Sequence, residues 1–199
     1  RTGYGSNNCL WNGTDYGTFA ACKAAVTGFH QNSKIAYGKW TSATNLHSVS
    51  IAAYGSGTPV AGVTDDYDGD TRSSTAPCIG ADEFPLTTMV YSSTTSTQNN
   101  TNPAGAGLPN QVIIGIEVNV TGALNAFSAT SFSLNTTGTT NTADISSAKL
   151  YYTGFDPNFA PTNLFATVNN PSGSFVMAGN QLLEGPGPNY FWLAYDLPI

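Results

Sequence analysis

The chain has 199 residues, of which 40% are hydrophobic and only 9% are charged, and its formal net charge is −6. The hydrophobic content is sufficient for a packed core and excludes wholesale disorder. The six basic residues are too few to form the dense positive surface that nucleic acids or anionic membranes attract. No apolar run approaches the roughly 20 residues that a membrane-spanning helix needs. We therefore expect neither a nucleic-acid partner nor membrane insertion.

The N-terminal part contains one predicted helix, Asp15–Val26. Asp15 can cap its N-terminus, apolar side chains recur at helical spacing, and Gly28 ends it. A helix this short is not stable alone and must pack against a neighbour. Short apolar segments interrupted by Gly and Pro follow, and their pattern is typical of solenoid rungs: Ile35–Trp40, Leu46–Ala53 and Val60–Val63.

The next stretch, Thr64–Phe84, is a polar loop that ends in a short apolar strand. Its sequence is TDDYDGDTRSSTAPCIGADEF, and Pro85 closes it. We place a domain boundary here, which divides the chain into residues 1–85 and residues 86–199. Five basic and seven acidic residues give the first part a net charge of −2, whereas one basic and five acidic residues give the second part −4.

The second part contains seven predicted strands separated by turn-forming Gly, Pro and Asn. Apolar residues alternate from Val112 to Val120, which indicates a strand with one buried face. This number of short strands in about a hundred residues predicts a β-sandwich. The predicted strands are Leu86–Thr97, Gln111–Val120, Ser128–Asn135, Ala148–Thr153, Leu164–Val168, Ser174–Ala178 and Tyr190–Leu197.

The chain has three cysteines, Cys9, Cys22 and Cys78. In a secreted chain two of them would pair, and we predict a Cys9–Cys22 disulfide because both lie in one short segment. Cys78 is then the odd thiol, either buried or bonded to a neighbouring molecule. A zinc site is the alternative, but there is no Cys-x-x-Cys pair, and His30 and His47 are not at ligand spacing.

Residues 12–84 resemble the last coils of right-handed parallel β-helix proteins of the pectin-lyase-like type. The resemblance is carried by NGTDYGTFAACKAAV, by SATNLH (Ser42–His47), and by TPVAGVTDDYDGDTR with IGADEF. It implies terminal parallel β-helix coils with one short helix, closed by the DGD…R…IGADEF element.

Residues 88–197 are similar to the domain found N-terminal to BNR-repeat sialidases in secreted proteins of bacteria that use type IX export. The matching residues are MVYSSTTSTQ, NQVIIGIEVNVTG, ADISSAKLYYTG and NYFWLAYDLP. The resemblance implies an Ig-like or jelly-roll β-sandwich that serves as an accessory module without catalysis. The expected fold is therefore all-β, and the expected location is extracellular or on the cell surface.

Both resemblances cover only part of the expected module. A β-helix coil relies on neighbouring coils for its core, and a sandwich without its last strand has unpaired backbone groups. We therefore expect copies of the chain, or neighbouring domains of a longer chain, to complete it. The candidate interface strands are Leu86–Thr97 and Tyr190–Ile199, with Met89, Tyr91, Tyr190, Trp192 and Tyr195 as the candidate assembly residues.

The densest charge cluster lies around Asp66, Asp68 and Asp70, which are candidate Ca²⁺ ligands because hard cations prefer several carboxylates. The EF-hand template fails here, since Pro77 stands where the bidentate Glu is required. The favoured interpretation is a loop capped by Asp side chains and partly neutralised by Arg72. We expect no other cofactor. The adjacent Asp82 and Glu83 cannot flank one sugar, so a structural pairing with Arg72 is favoured.

We find no catalytic residue set, and the chain is not expected to be an enzyme. The main hypothesis is a structural or adhesive module of an extracellular bacterial surface protein or filament, assembling through open β edges. The alternative is a carbohydrate-binding accessory region of a secreted glycan-acting enzyme. This alternative requires a groove lined by exposed aromatic rings, although strand alternation favours core packing for Trp192.

Overall fold

The computed structural model describes residues 9–26, 28, 32–34, 40–41, 44, 47–98, 101 and 104–199, with the side chains of residues 9–11 excepted. The chain divides into two compact units, Arg1–Pro85 and Leu86–Ile199. Most of the predicted rung Ile35–Trp40 and of the Ser42–His47 motif lies outside the described residues.

Unit 1 begins with a tight antiparallel hairpin followed by one short helix. Strands β1 (Cys9–Trp11) and β2 (Thr14–Tyr16) are joined by Asn12 and Gly13, both at positive φ. Asn-Gly favours this turn because both central residues of a type I′ turn need positive φ. The hairpin therefore follows directly from local turn chemistry.

The helix of unit 1, α1, spans Phe19–Ala25 and is shorter than predicted. Its N-cap is Thr18, whose hydroxyl accepts the backbone N–H of Ala21 at 3.1 Å. The prediction that Asp15 caps the helix is wrong, because Asp15 belongs to β2. A Thr hydroxyl satisfies the same unpaired N–H groups at the start of a helix.

Parallel β-helix coils are not supported by the described part of unit 1. Its hairpin is antiparallel, and so are its isolated bridges Trp40–Ser48 and Asp65–Thr71. Parallel coils would instead show evenly spaced parallel pairing between successive rungs. The described residues of this unit form turns and loops where rungs were expected.

Unit 2 is an all-β structure with two antiparallel sheets, which agrees with the predicted sandwich. One sheet has five strands in the order β3–β4–β9–β6–β7, and the other pairs β5 with β8. The assignment to an Ig-like or jelly-roll topology stays a prediction. The strands are β3 (Val90–Thr97), β4 (Gln111–Thr121), β5 (Ser128–Asn135), β6 (Ser147–Gly154), β7 (Leu164–Asn169), β8 (Ser174–Leu182) and β9 (Gly187–Asp196), with a 3₁₀ turn at Thr142–Asp144.

An apolar core lies between the two sheets of unit 2. Phe191 and Leu193 of β9 and Leu150 of β6 point into it from the large sheet, and Met177 of β8 meets them. Phe132 of β5 packs its ring on Phe191 with the centroids 4.7 Å apart. Alternate residues of each strand enter this core, as the period-two pattern predicts.

A buried polar network closes one end of this core around Asn189, which is fully buried. Its Oδ1 accepts the Tyr152 hydroxyl at 2.7 Å and the Glu184 N–H at 2.9 Å. Its Nδ2 donates to the carbonyl oxygens of Glu184 and Gly187 at 2.8 and 3.5 Å. Burial, reinforced by the charge of Glu184, raises the pKa of Tyr152. The hydroxyl therefore stays a neutral donor.

The candidate assembly run Tyr190–Ile199 does not form an open edge. Strand β9 pairs with β4 on one side and with β6 on the other, so its backbone groups are already used. Trp192, Tyr195 and Met89 are buried in the chain. Their role at an interface stays a prediction. Tyr91 differs, because it lies exposed on the edge strand β3.

Candidate functional site

The outer face of the five-stranded sheet, the side away from β5 and β8, carries aromatic and polar side chains. Phe191 and Leu193 point into the core. Successive residues of a strand point to opposite faces, so Tyr190 and Trp192 lie on the outer face. The register places Glu117 of β4 opposite Tyr190. This face is therefore where unit 2 can offer rings to a ligand.

Trp192 is not available for stacking on a ligand, since only 9% of it is exposed. Its Nε1 donates to Thr153 Oγ1 at 3.0 Å, and Phe159 packs edge-on at 6.3 Å between ring centroids. Its ring also lies over Gly115, where a Cβ atom would be 3.0 Å from the indole. Trp192 is therefore buried by neighbouring side chains, as expected over stacking on a sugar, but it lies on the outer face and not in the core between the two sheets.

Tyr190 is the centre of a more accessible group. Asn119 Nδ2 donates to Glu117 Oε1 at 2.6 Å, and Tyr190 lies directly opposite Glu117 in the pairing of β4 with β9. Burial raises the pKa of Tyr190, and the negative charge of Glu117 raises it further. On β3, Ser93 pairs with Asn119 and Thr95 with Glu117. We call these five residues the Tyr190 cluster.

The Tyr190 cluster joins one partly buried ring with a carboxylate, an amide and two hydroxyls. Such planar acceptors and donors beside an aromatic face suit a ligand with many hydroxyl groups and one apolar side. None of Glu117, Asn119, Ser93 and Thr95 was singled out as a site residue from the sequence. Only the strand register shows that they lie around Tyr190.

Lys149 is the single basic residue of residues 86–199 and is fully engaged. It forms an ion pair with Asp196, which also accepts the Ser147 hydroxyl and the Asn110 N–H, both at 2.8 Å. The hydrogen bond to Asp196 raises the pKa of Lys149. Burial alone would raise the pKa of Asp196. The hydrogen bonds from Lys149, Asn110 and Ser147 outweigh burial, so the pKa is lowered. No lysine or arginine of this part therefore remains for an anionic ligand.

Asp66 holds the acidic loop of unit 1 in place. Its Oδ1 accepts the N–H groups of Asp68 and Asp70 at 3.0 and 2.8 Å, and its Oδ2 accepts the Glu83 N–H at 2.8 Å. These bonds, led by that of Glu83, lower the pKa of Asp66. The favoured loop-capping interpretation fits this geometry. Calcium binding by Asp66, Asp68 and Asp70 stays a prediction.

A histidine and two carboxylates converge beside this loop. His47 Nε2 lies 2.6 Å from Asp68 Oδ2 and 3.9 Å from Asp82 Oδ2. Among the described residues, this is the group of three metal-ligating side chains whose donor atoms lie within 4.8 Å of one another. The hydrogen bond to Asp68 raises the pKa of His47, burial opposes that shift, and the charges of Asp82, Asp68 and Asp66 raise the pKa further.

Arg72 joins the two ends of the same loop. Its guanidinium donates to the carbonyl oxygens of Cys78 and Gly80 at 2.8 and 3.1 Å, and also to that of Ala81. Its Nε lies 3.6 Å from Glu83 Oε1. The structural pairing of Arg72 with Glu83 is thus confirmed. The carboxylate of Asp82 points instead to His47.

The described cysteines of unit 1 are buried. Cys78 is a free thiol with only 3% of its surface exposed. The backbone N–H of Cys78 donates to Glu83 Oε1 at 3.0 Å. The predicted Cys9–Cys22 disulfide involves the side chain of Cys9, which lies outside the described ones. That disulfide stays a prediction.

No helix in the described part of the chain is long and apolar enough to cross a membrane.

Comparison with known proteins identifies the family of unit 2. No curated protein matches the chain. Residues 92–198, more than half of the chain, match the family described as the N-terminal domain of BNR-repeat neuraminidase. This family is the domain that precedes the neuraminidase repeats and is distinct from the catalytic domain. The chain belongs to this family of N-terminal neuraminidase-associated domains.

Proposed function

We propose that unit 2 is a non-catalytic, carbohydrate-binding accessory domain of an extracellular, glycan-acting protein. The observation that carries this proposal is the family match over residues 92–198. An associated domain that accompanies a glycosidase acts most simply by holding the enzyme near its substrate, which raises the effective concentration of that substrate. This function corresponds to the alternative hypothesis from the sequence.

The Tyr190 cluster is the proposed contact surface for the glycan. A sugar ring placed on the exposed face of Tyr190 would bury its apolar C–H groups. Its hydroxyls would then meet the oxygens and the amide of Glu117 and Asn119, which are 2.6 Å apart and already oriented by each other. Groups fixed before binding lose little side-chain entropy when the ligand arrives.

The charge of this surface favours neutral glycans over sialylated ones. Glu117 lies in the cluster, and Lys149, the single basic residue of residues 86–199, is held by Asp196. A sialic acid carboxylate would therefore meet a negative surface without a partner. The cost is electrostatic and falls at high salt. We expect the accessory domain to bind the uncharged part of a glycan.

A glycan array probed with the chain tests this proposal. We expect retention of neutral glycans by the wild-type chain and loss of that signal in Tyr190→Ala. Glu117→Gln should keep binding to neutral glycans and weaken the discrimination against sialylated ones. Tyr91→Ala is the matched control, since Tyr91 is exposed on β3 outside the cluster. Equal signals from Tyr190→Ala and wild type would contradict the proposal.

Assembly through β3 is a second candidate function, supported by one observation. All eight residues of β3 are exposed, and among the described residues this strand pairs only with β4. Its sequence, VYSSTTST, has none of the Lys or Pro residues that usually protect an edge strand. A strand from another copy, or from a neighbouring domain, could extend the sheet there.

Sedimentation of the chain tests this second function. Copies joined at β3 should sediment as dimers or larger species. The double variant Thr94→Lys and Ser96→Lys should return the chain to a monomer, because like charges would face each other across the new strand pair. A concentration-independent monomer for the wild type would remove this candidate and leave the glycan-binding proposal unaffected.

A further inference from the structure

We propose that His47, Asp68 and Asp82 of unit 1 bind a divalent transition-metal ion, with Zn²⁺ as the best match. Their donor atoms, one imidazole nitrogen and two carboxylate oxygens, lie within 4.8 Å of one another. They come from three separate places in the chain, and His47 and Asp68 are 21 residues apart. Convergence of these donor types on one point is the geometry that a metal needs.

The distances allow an ion with little rearrangement. Nε2 of His47 is 2.6 Å from Asp68 Oδ2 and 3.9 Å from Asp82 Oδ2. Ligands placed at about 2.0–2.2 Å from Zn²⁺ in a tetrahedral arrangement are separated by a little over 3 Å. To reach that spacing, the Asp68 oxygen has to move away from His47 Nε2 and the Asp82 oxygen has to move toward it, each by less than about 1 Å.

The backbone around two of the ligands is fixed before any ion binds. Asp66 accepts the N–H of Asp68 and the N–H of Glu83, the residue next to Asp82. Tyr67, between Asp66 and Asp68, donates its N–H to the Ala81 carbonyl at 3.0 Å. Asp66 therefore positions the ligands without itself being one, as outer-shell carboxylates do in metal sites.

The local charge favours a cation. Arg72, the nearby guanidinium, is directed to Glu83 and to the carbonyl oxygens of Cys78 and Gly80. The ligand group offers two carboxylates and one imidazole nitrogen, and a bound ion would take the position between His47 Nε2 and the two carboxylates.

The exposure of the ligands points to an open site. His47 and Asp68 have 44% and 45% of their side chains exposed, and Asp82 has 17%. Water can complete the coordination, as it does where protein ligands are only three. Ca²⁺ fits less well, because it prefers six to eight oxygen ligands, whereas imidazole suits zinc and its neighbours.

Titration of the chain with Zn²⁺ alone, followed by calorimetry, tests the site. We expect about one ion per chain and much weaker binding of Ca²⁺. Asp82→Asn should weaken Zn²⁺ binding by at least about tenfold. Asp70→Asn is the matched control: it removes the same charge from the same loop but no ligand, and should change binding by less than about threefold.

His47→Gln separates a metal ligand from a structural residue. The glutamine amide can still donate to Asp68, so the loop should keep its fold in circular dichroism, yet the imidazole ligand is lost. His30→Ala removes the chain's other histidine and should leave binding intact. No Zn²⁺ binding by the wild type, or undiminished binding in His47→Gln or Asp82→Asn, would overturn the proposal.

Discussion

The two units of the chain are stabilised in different ways. Unit 2 has an apolar core between two sheets, with the ring of Phe191 at its centre. In the described part of unit 1, buried apolar side chains are few: Cys22, Val26, Cys78 and Phe84. Its loops are held instead by polar side chains that bond to backbone groups, chiefly those of Asp66 and Arg72.

This difference explains which features can be lost without unfolding a unit. Apolar burial is spread over many contacts, so unit 2 should tolerate changes at its surface and respond strongly to cavities. The loop of unit 1 depends on a few hydrogen bonds, so a single polar substitution should loosen it.

Phe191→Ala should destabilise unit 2 by about 4 kcal/mol, because it opens a cavity where Phe132 and Phe165 meet this ring. Denaturant unfolding followed by tryptophan fluorescence measures the loss. Tyr67→Ala is the control, since Tyr67 is 85% exposed and should change stability by less than about 0.5 kcal/mol. A loss below about 1 kcal/mol for Phe191→Ala would contradict a packed core.

Asn189→Ala should cost about 3 kcal/mol, because the Tyr152 hydroxyl and the Glu184 N–H would be left buried without a partner. Tyr152→Phe removes only one donor and should cost about 1 kcal/mol. The double variant should cost less than the sum of the two, since both act on one network. Additive losses in this cycle would show that the network is not coupled.

Arg72→Ala should loosen the loop of unit 1 by about 2 kcal/mol, because the carbonyl oxygens of Cys78 and Gly80 lose a charged donor. Arg72→Lys should rescue only part of this loss, since an ammonium group cannot reproduce the guanidinium fork. Hydrogen exchange should rise in residues 64–84 and stay unchanged in β4 and β9. Equal protection in wild type and Arg72→Ala would rule out this role.

Asp196→Asn should cost about 1 kcal/mol at neutral pH by removing the charged partner of Lys149. The pKa of Asp196 is lowered in the folded chain. Its contribution to stability is therefore present above its unfolded pKa of about 4 and is lost as pH falls through the native pKa. The variant should therefore lose stability less steeply in acid than wild type. The exposed control Asp144→Asn should show the same dependence of unfolding free energy on pH as wild type. If Asp196→Asn also showed the wild-type dependence on pH, Asp196 would not contribute to it.

The strands of unit 2 could be predicted because their signal is local. Ser128–Asn135 was predicted with the bounds that β5 has, and the alternation around Val112–Val120 placed β4 within one residue at its end. The position of β9 could not be predicted, since it lies between β4 and β6, which are distant in sequence. The order of strands in a sheet depends on how the strands pack together, and the hydrophobic pattern of one strand does not specify its neighbours.

The candidate sites could be predicted only in part. The aspartates around Asp66 were visible as a charge cluster, but the approach of His47 to Asp68 and Asp82 depends on the folding of three separate segments. The sequence did not single out Asn189, although it is fully buried in the structure. In unit 1 the sequence motifs correctly indicated a helix and a loop. They did not indicate antiparallel pairing, because the direction of pairing depends on residues that are far apart in the sequence.

We propose that the outer face of unit 2 binds glycans without catalysis, and calorimetry with a neutral oligosaccharide selected from the array is the decisive measurement. We expect saturable binding by the chain, no product on prolonged incubation, and no binding by Tyr190→Ala with its fold intact. Cleavage of the oligosaccharide, or identical binding by Tyr190→Ala, would overturn this proposal.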